Sequence, residues 1–84
     1  MLKYRVKLRE KSLLIECLNP QNLSALATIR YINKKINVNN FRLDQDSIKK
    51  IFLNYICSAE KVSKNEYIVT ADKALPQILF NRIN

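Results

Sequence analysis

Between Leu2 and Arg9 the chain alternates without exception: Leu2, Tyr4, Val6 and Leu8 are apolar, while Lys3, Arg5, Lys7 and Arg9 are cationic. A period of two is the signature of a β-strand with one face in a core and the other in water. A slip of one residue would drive every cation into the core, so the register of this strand is tightly constrained. Residues 12–18, Ser-Leu-Leu-Ile-Glu-Cys-Leu, form a second apolar segment after the polar pair Glu10-Lys11. Together the two segments read as an antiparallel hairpin. With Glu10-Lys11 as the turn, Val6 faces Ile15, Leu8 faces Leu13 and Tyr4 faces Cys17, so the apolar faces coincide; a two-residue turn without Gly or Asn is atypical, and a wider loop in the same register fits equally.

The chain contains no glycine. Left-handed backbone positions must therefore be filled by residues that bear a Cβ, and asparagine tolerates them best. The connector Asn37-Val38-Asn39-Asn40 is the expected place for them. The same absence excludes the glycine-rich phosphate loops of nucleotide-binding enzymes and the glycine clamp of one RNA-binding class. The chain also lacks histidine, which removes imidazole-based acid–base catalysis and histidine-containing zinc sites.

After the hairpin, Asn19 and Pro20 suit the start of a helix, as cap and first helical residue. Leu23, Ala25, Leu26, Ile29, Ile32 and Ile36 extend it with three-and-four spacing to about Ile36. Asp44 is placed to cap a second helix from Gln45 to about Ala59, with Ile48, Ile51, Phe52, Tyr55, Ile56 and Ala59 on one face. Residues 61–63 and 67–71, around the turn Lys64-Asn65-Glu66, read as a short hairpin with a β-branched second arm. Asp72 would cap a last helix through Leu75, Ile78, Leu79 and Ile83, with Pro76 in its first turn. The expectation is a small α+β fold over residues 1–84 as a single basic domain. It comprises an N-terminal antiparallel hairpin, two amphipathic helices, a short strand or hairpin, and a C-terminal helix packed on the sheet.

Charge then decides which partners are favoured. Fifteen Lys and Arg against seven Asp and Glu give a formal charge of +8, a field attractive to phosphate polymers and acidic proteins. On a strand, Lys3, Arg5, Lys7 and Arg9, continued by Lys11, stand about 6.6 Å apart along one face, at twice a rise of about 3.3 Å. This row matches the spacing of phosphates on a nucleic-acid strand and would bind them by releasing condensed counterions. Arg30, Tyr31, Lys34 and Lys35, with Phe41 and Arg42 shortly after, form a second group of cations and aromatics, as in proteins that bind single strands or RNA, although Phe41 also reads as a core residue and the lysines as helix C-terminal cations. Tyr4, the only aromatic residue of the first strand, points inward, so the sheet itself offers no stacking platform.

Function is accordingly read as a non-enzymatic module for RNA or single-stranded DNA, held mainly by phosphate contacts. Leu14 and Leu18 fall on the cationic face and favour a different reading: an adaptor or inhibitor docking on an acidic protein, or a homodimer. A third reading is a histidine-free ribonuclease of the toxin type, in which Arg and Lys stabilise the phosphate and Tyr or Glu moves protons. Asp44, Asp46 and Asp72 are explained as helix-start residues, so no metal or cofactor is expected. Apolar runs are too short to span a bilayer and the N-terminus lacks a signal pattern, so a cytoplasmic location without membrane association is expected. Cys17 and Cys57 have no CxxC partner and read as small buried hydrophobes.

Overall fold

The structure, a computed structural model, describes residues 1–22, 33–72 and 75. The described residues contain five strands: β1 (Leu2–Arg9), β2 (Ser12–Cys17), β3 (Asn33–Asn37), β4 (Ile56–Ser63) and β5 (Glu66–Ala71). One α-helix, α1 (Gln45–Phe52), lies among the described residues. The strands form one antiparallel sheet in the order β3-β2-β1-β5-β4.

The alternating segment is the central strand. β1 pairs with β2 in the expected register, Tyr4 with Cys17, Val6 with Ile15 and Leu8 with Leu13. On its other side it pairs with β5, placing Leu2 against Ala71, Tyr4 against Val69 and Val6 against Tyr67. Leu2, Tyr4, Val6, Leu13, Ile15, Cys17, Tyr67, Val69 and Ala71 are all buried on one face. Glu10-Lys11 does serve as the two-residue turn, with Glu10 forced to φ 50°. Of the Asn connector, Asn40 takes the left-handed conformation at φ 53°.

β3 and β4 lie at opposite edges of the sheet, so residues 38–55 must cross one of its faces. The crossing segment covers the apolar face with Val38, Leu43, Ile48, Ile51 and Phe52, all buried. Full burial of each large side chain contributes about 1.5–3 kcal/mol. That packing is necessary because an eight-residue helix is not stable alone. The start of α1 is fixed by Asp44, whose Oδ1 accepts the Ser47 backbone N–H at 2.8 Å, while Ser47 Oγ donates to the Arg42 carbonyl at 2.7 Å. Gln45 Nε2 donates to the Ala59 carbonyl at 3.1 Å and ties the helix to the edge strand β4.

The expected α+β arrangement with two long amphipathic helices is not what forms; among the described residues the fold is mostly antiparallel sheet with one short helix. The first expected helix was to run to Ile36, but residues 33–37 are strand β3, with Ile36 paired to Leu13 and buried. The pairing satisfies the outer edge of β2, which a helix would leave bare, and Asn33 and Asn37 are poor helix formers. Its first described residues, Pro20–Asn22, form a 3-10 turn. Asn19 directs its carboxamide at β1, accepting from Lys3 N at 2.9 Å and donating to the Met1 carbonyl at 2.8 Å. Residues 23–32 lie outside the described residues.

The second expected helix stops at Phe52 instead of continuing to Ala59. A 3-10 turn, Leu53–Tyr55, follows, with Leu53 at φ 52°, and the chain then enters β4. A β-bulge explains the misleading period. Ile56 pairs with Ala71 and Ser58 with the next residue back, Thr70, so Cys57 is an extra residue in β4. Ile56 and Ala59, three apart, therefore both pack against the core on a strand, imitating helical spacing. The expected short hairpin is real but longer, 56–63 with 66–71. The expected C-terminal helix falls on residues outside those described, apart from Leu75, which is buried.

Two outcomes follow from these local geometries. Glu10→Gly relieves a left-handed Cβ clash in an exposed turn and is expected to stabilise the fold by about 0.5–1 kcal/mol in chemical denaturation. Unchanged or lower stability would count against the strain. Hydrogen bonding from the Ser47 backbone N–H, then its hydroxyl, and the charge of Arg42 hold the Asp44 carboxyl below its ordinary 3.8. A depressed folded-state pKa means stabilisation present above about pH 3.8 and lost as pH falls through the folded value. Asp44→Asn keeps a capping oxygen but does not titrate. The gap between its denaturation midpoint and that of the wild type should narrow from pH 7 to pH 3.

Candidate functional site

The alternation sends Lys3, Arg5, Lys7 and Arg9 to the sheet face away from the core, as the sequence implied. The row is not free along its length. Arg5 lies between two acids, with Glu16 Oε1 at 3.6 Å and Glu66 Oε2 at 3.5 Å, and Lys7 Nζ is 3.6 Å from Glu66 Oε1. Glu16 is opposite Arg5 on β2 and Glu66 opposite Lys7 on β5, so the pairing that orders the strand also brings the acids alongside. Pairs of this exposure are each worth about 0–1 kcal/mol. They occupy the cations at the middle of the row and leave Lys3 and Arg9 at its ends.

Lys11 sits exposed in the β1–β2 turn, its carbonyl accepting the Val38 N–H at 2.9 Å. Of the second group, Arg30 and Tyr31 lie outside the described residues. Lys34 and Lys35 belong to strand β3 and not to a helix end, Lys34 pairing with Ile15 and Lys35 with Leu14. Since Leu14 also pairs with Lys7, the row Lys7-Leu14-Lys35 crosses three strands and joins the two groups that the sequence kept apart. Leu14 is half-buried there. Leu18 is exposed just beyond β2, near the other end of β1, where its N–H donates to the Lys3 carbonyl at 2.8 Å. The two leucines thus do not form one patch.

The end of the sheet where β1 finishes gathers a different set of cations. The Leu8 N–H donates to the Asn65 carbonyl at 2.9 Å, which pins the β4–β5 turn against β1. Two hollows open on either side of that junction, and Leu8 and Asn65 line both. The first, about 630 Å³, is walled by Arg9, Lys35, Glu10, Ser12 and Leu14. The second, about 390 Å³, is walled by Phe41, Arg42, Lys61, Lys64, Asp44 and Tyr67. Five cations therefore surround the pair of hollows, opposed by Glu10 and Asp44. Asp44 Oδ2 lies 3.7 Å from Arg42 Nε, but the Arg42 side chain is 90% exposed, so the guanidinium stays accessible.

Lys61 and Lys64 are read from the sequence only as hairpin and turn residues, whereas Phe41 is read both as an aromatic beside Arg42 and as a core residue. Phe41 is half-buried and packs on the core from the hollow's wall. The signal available was the lysine pair flanking a tight turn. What it lacked was the position of that turn beside Leu8.

Among the described residues no cluster of three or more His, Cys, Asp or Glu is placed to hold a metal. Cys17 is buried but Cys57, expected to be buried, is exposed at the β4 bulge. No helix of the described residues is long and apolar enough to cross a membrane. Comparison with protein-family models, with curated proteins and with solved structures returns no match to this chain.

Proposed function

We propose that this protein binds nucleic acid through its phosphate backbone, at the end of the sheet where β1 meets the β4–β5 turn. The observation that carries the reading is the ring of Arg9, Lys35, Arg42, Lys61 and Lys64 around two hollows that share Leu8 and Asn65. Concave surfaces with an excess of one sign of charge, here five cations against Glu10 and Asp44, concentrate the field and draw in counter-charged polymers. Relative to the row along β1, the interface shifts toward the turn end. Arg9 and Lys35 remain in it, Lys61 and Lys64 join it, and Arg5 and Lys7 are held back by Glu16 and Glu66.

Binding of a labelled oligonucleotide, followed by fluorescence anisotropy over a salt series, tests this directly. Five phosphate contacts imply a slope of log K against log salt of about −3.5 for a single strand and about −4.5 for duplex DNA. Arg9→Glu with Lys35→Glu should weaken binding at least about tenfold, whereas Lys49→Glu with Lys50→Glu, the same charge change on exposed α1 positions, should have a much smaller effect. No binding at low salt, or equal effects of the two double variants, would sink the proposal. Glu66→Gln offers an independent check, because it removes the Glu66 pairs of Arg5 and Lys7 at a stability cost below about 2 kcal/mol, while Arg5 keeps Glu16. Affinity at low salt is expected to rise and the slope to steepen by about one unit.

A further inference from the structure

We infer that the strand bound at this end is single, with one base stacked on Phe41 in the hollow that Arg42, Lys61 and Lys64 surround. The inference rests on the phosphate-binding reading above and adds to it a base contact and a choice of substrate class. The sheet's central aromatic, Tyr4, is fully buried and cannot serve as a platform. Phe41, in contrast, belongs to the segment that crosses the sheet and lines a concave hollow together with three cations. Leu8, Leu43 and the buried Tyr67 also line this hollow, so a ring entering it meets apolar surface while its sugar-phosphate stays near charge.

That combination of an aromatic wall within a cationic rim is what single-strand binding uses, since every base has a π-face and the backbone can be tracked by charge alone. A duplex keeps its base faces stacked inside and presents only phosphates to a hollow of this kind. The neighbouring hollow, with Arg9 and Lys35, contributes charge without an aromatic among its lining residues. The two hollows thereby divide the work: one holds phosphate, the other phosphate and a base. Both hollows share Leu8 and Asn65, the first on the outward face with Arg9, Leu14 and Lys35 and the second on the core-covered face with Leu43 and Tyr67, so a strand that reaches both bends around the end of the sheet.

The experiment compares oligo-dT, oligo-U and a duplex of equal length, using wild type and Phe41→Leu, which keeps an apolar group on the core. The single strands should bind more tightly than the duplex. Phe41→Leu should weaken single-strand binding by about fivefold or more, leaving the salt slope and duplex affinity unchanged. The oligo-dT and oligo-U arms separate DNA from RNA as the source of the strand. Because the chain has no tryptophan, Phe41→Trp introduces a single reporter whose emission should be quenched in a saturable way by single strands and not by duplex; it also covers the case in which Phe41→Leu does not fold. Equal or tighter duplex binding, single-strand affinity untouched by Phe41→Leu, or quenching by an oligoglutamate peptide in place of oligonucleotides would each overturn the inference. Absence of binding to any oligonucleotide at low salt would instead remove the underlying phosphate reading, and the base contact with it.

Discussion

The pairing of β1 on both sides is the interaction from which the rest of the structure follows. Its even residues must be inside and its odd residues outside, and two partners, β2 and β5, are held to that choice by backbone hydrogen bonds. Ile15, Cys17, Tyr67 and Val69 are buried because they face Val6 and Tyr4 across the ladder. Once three strands share one apolar face, something has to cover it. The connection between the two edge strands does so, because it has to travel across the sheet to join them.

How much of this was readable depended on whether the local period matched the local structure. The register of the β1–β2 hairpin was readable because an alternating strand and an apolar segment flank a short polar gap, and a turn at Glu10-Lys11 brings their apolar sides together. The cap at Asp44 was equally clear, since it needs only its own side chain and the Ser47 N–H. The far end of α1 was not. An extra residue at Cys57 re-aims the side chains of β4 so that Ile56 and Ala59 reach the core at a separation of three, and a bulged strand then carries the arithmetic of a helix. For β3 the deciding fact was the unfilled edge of β2, which no feature of Asn33-Lys34-Lys35-Ile36-Asn37 announces.

The candidate site was half readable for a related reason. Alternation specifies which face a charge takes, and Lys3, Arg5, Lys7 and Arg9 do share one. It does not specify which strand lies alongside. Glu66 is sixty-one positions from Arg5 in sequence, yet β5 pairing brings it to 3.5 Å, and the Leu8–Asn65 hydrogen bond brings the β4–β5 turn, with Lys61 and Lys64, beside Leu8. Local charge counts therefore overstate the middle of the row and understate its end.

The lack of glycine adds a final constraint on that end. A two-residue hairpin turn needs a positive φ, and here Glu10 supplies it, although its side chain adds a negative charge beside Arg9 and Lys35. A glycine would relieve the backbone and leave the first hollow more positive. Under the proposed phosphate binding Glu10 also lowers affinity, because electrostatic binding through several cations is tightened by each added positive charge and an acid in the rim limits that gain. The second hollow has the same arrangement, with Asp44 beside Arg42, but there the acid also fixes the start of α1 and so contributes to the fold. Of the two rim acids, Glu10 is therefore the one whose removal changes the charge of the interface while leaving the helix cap intact.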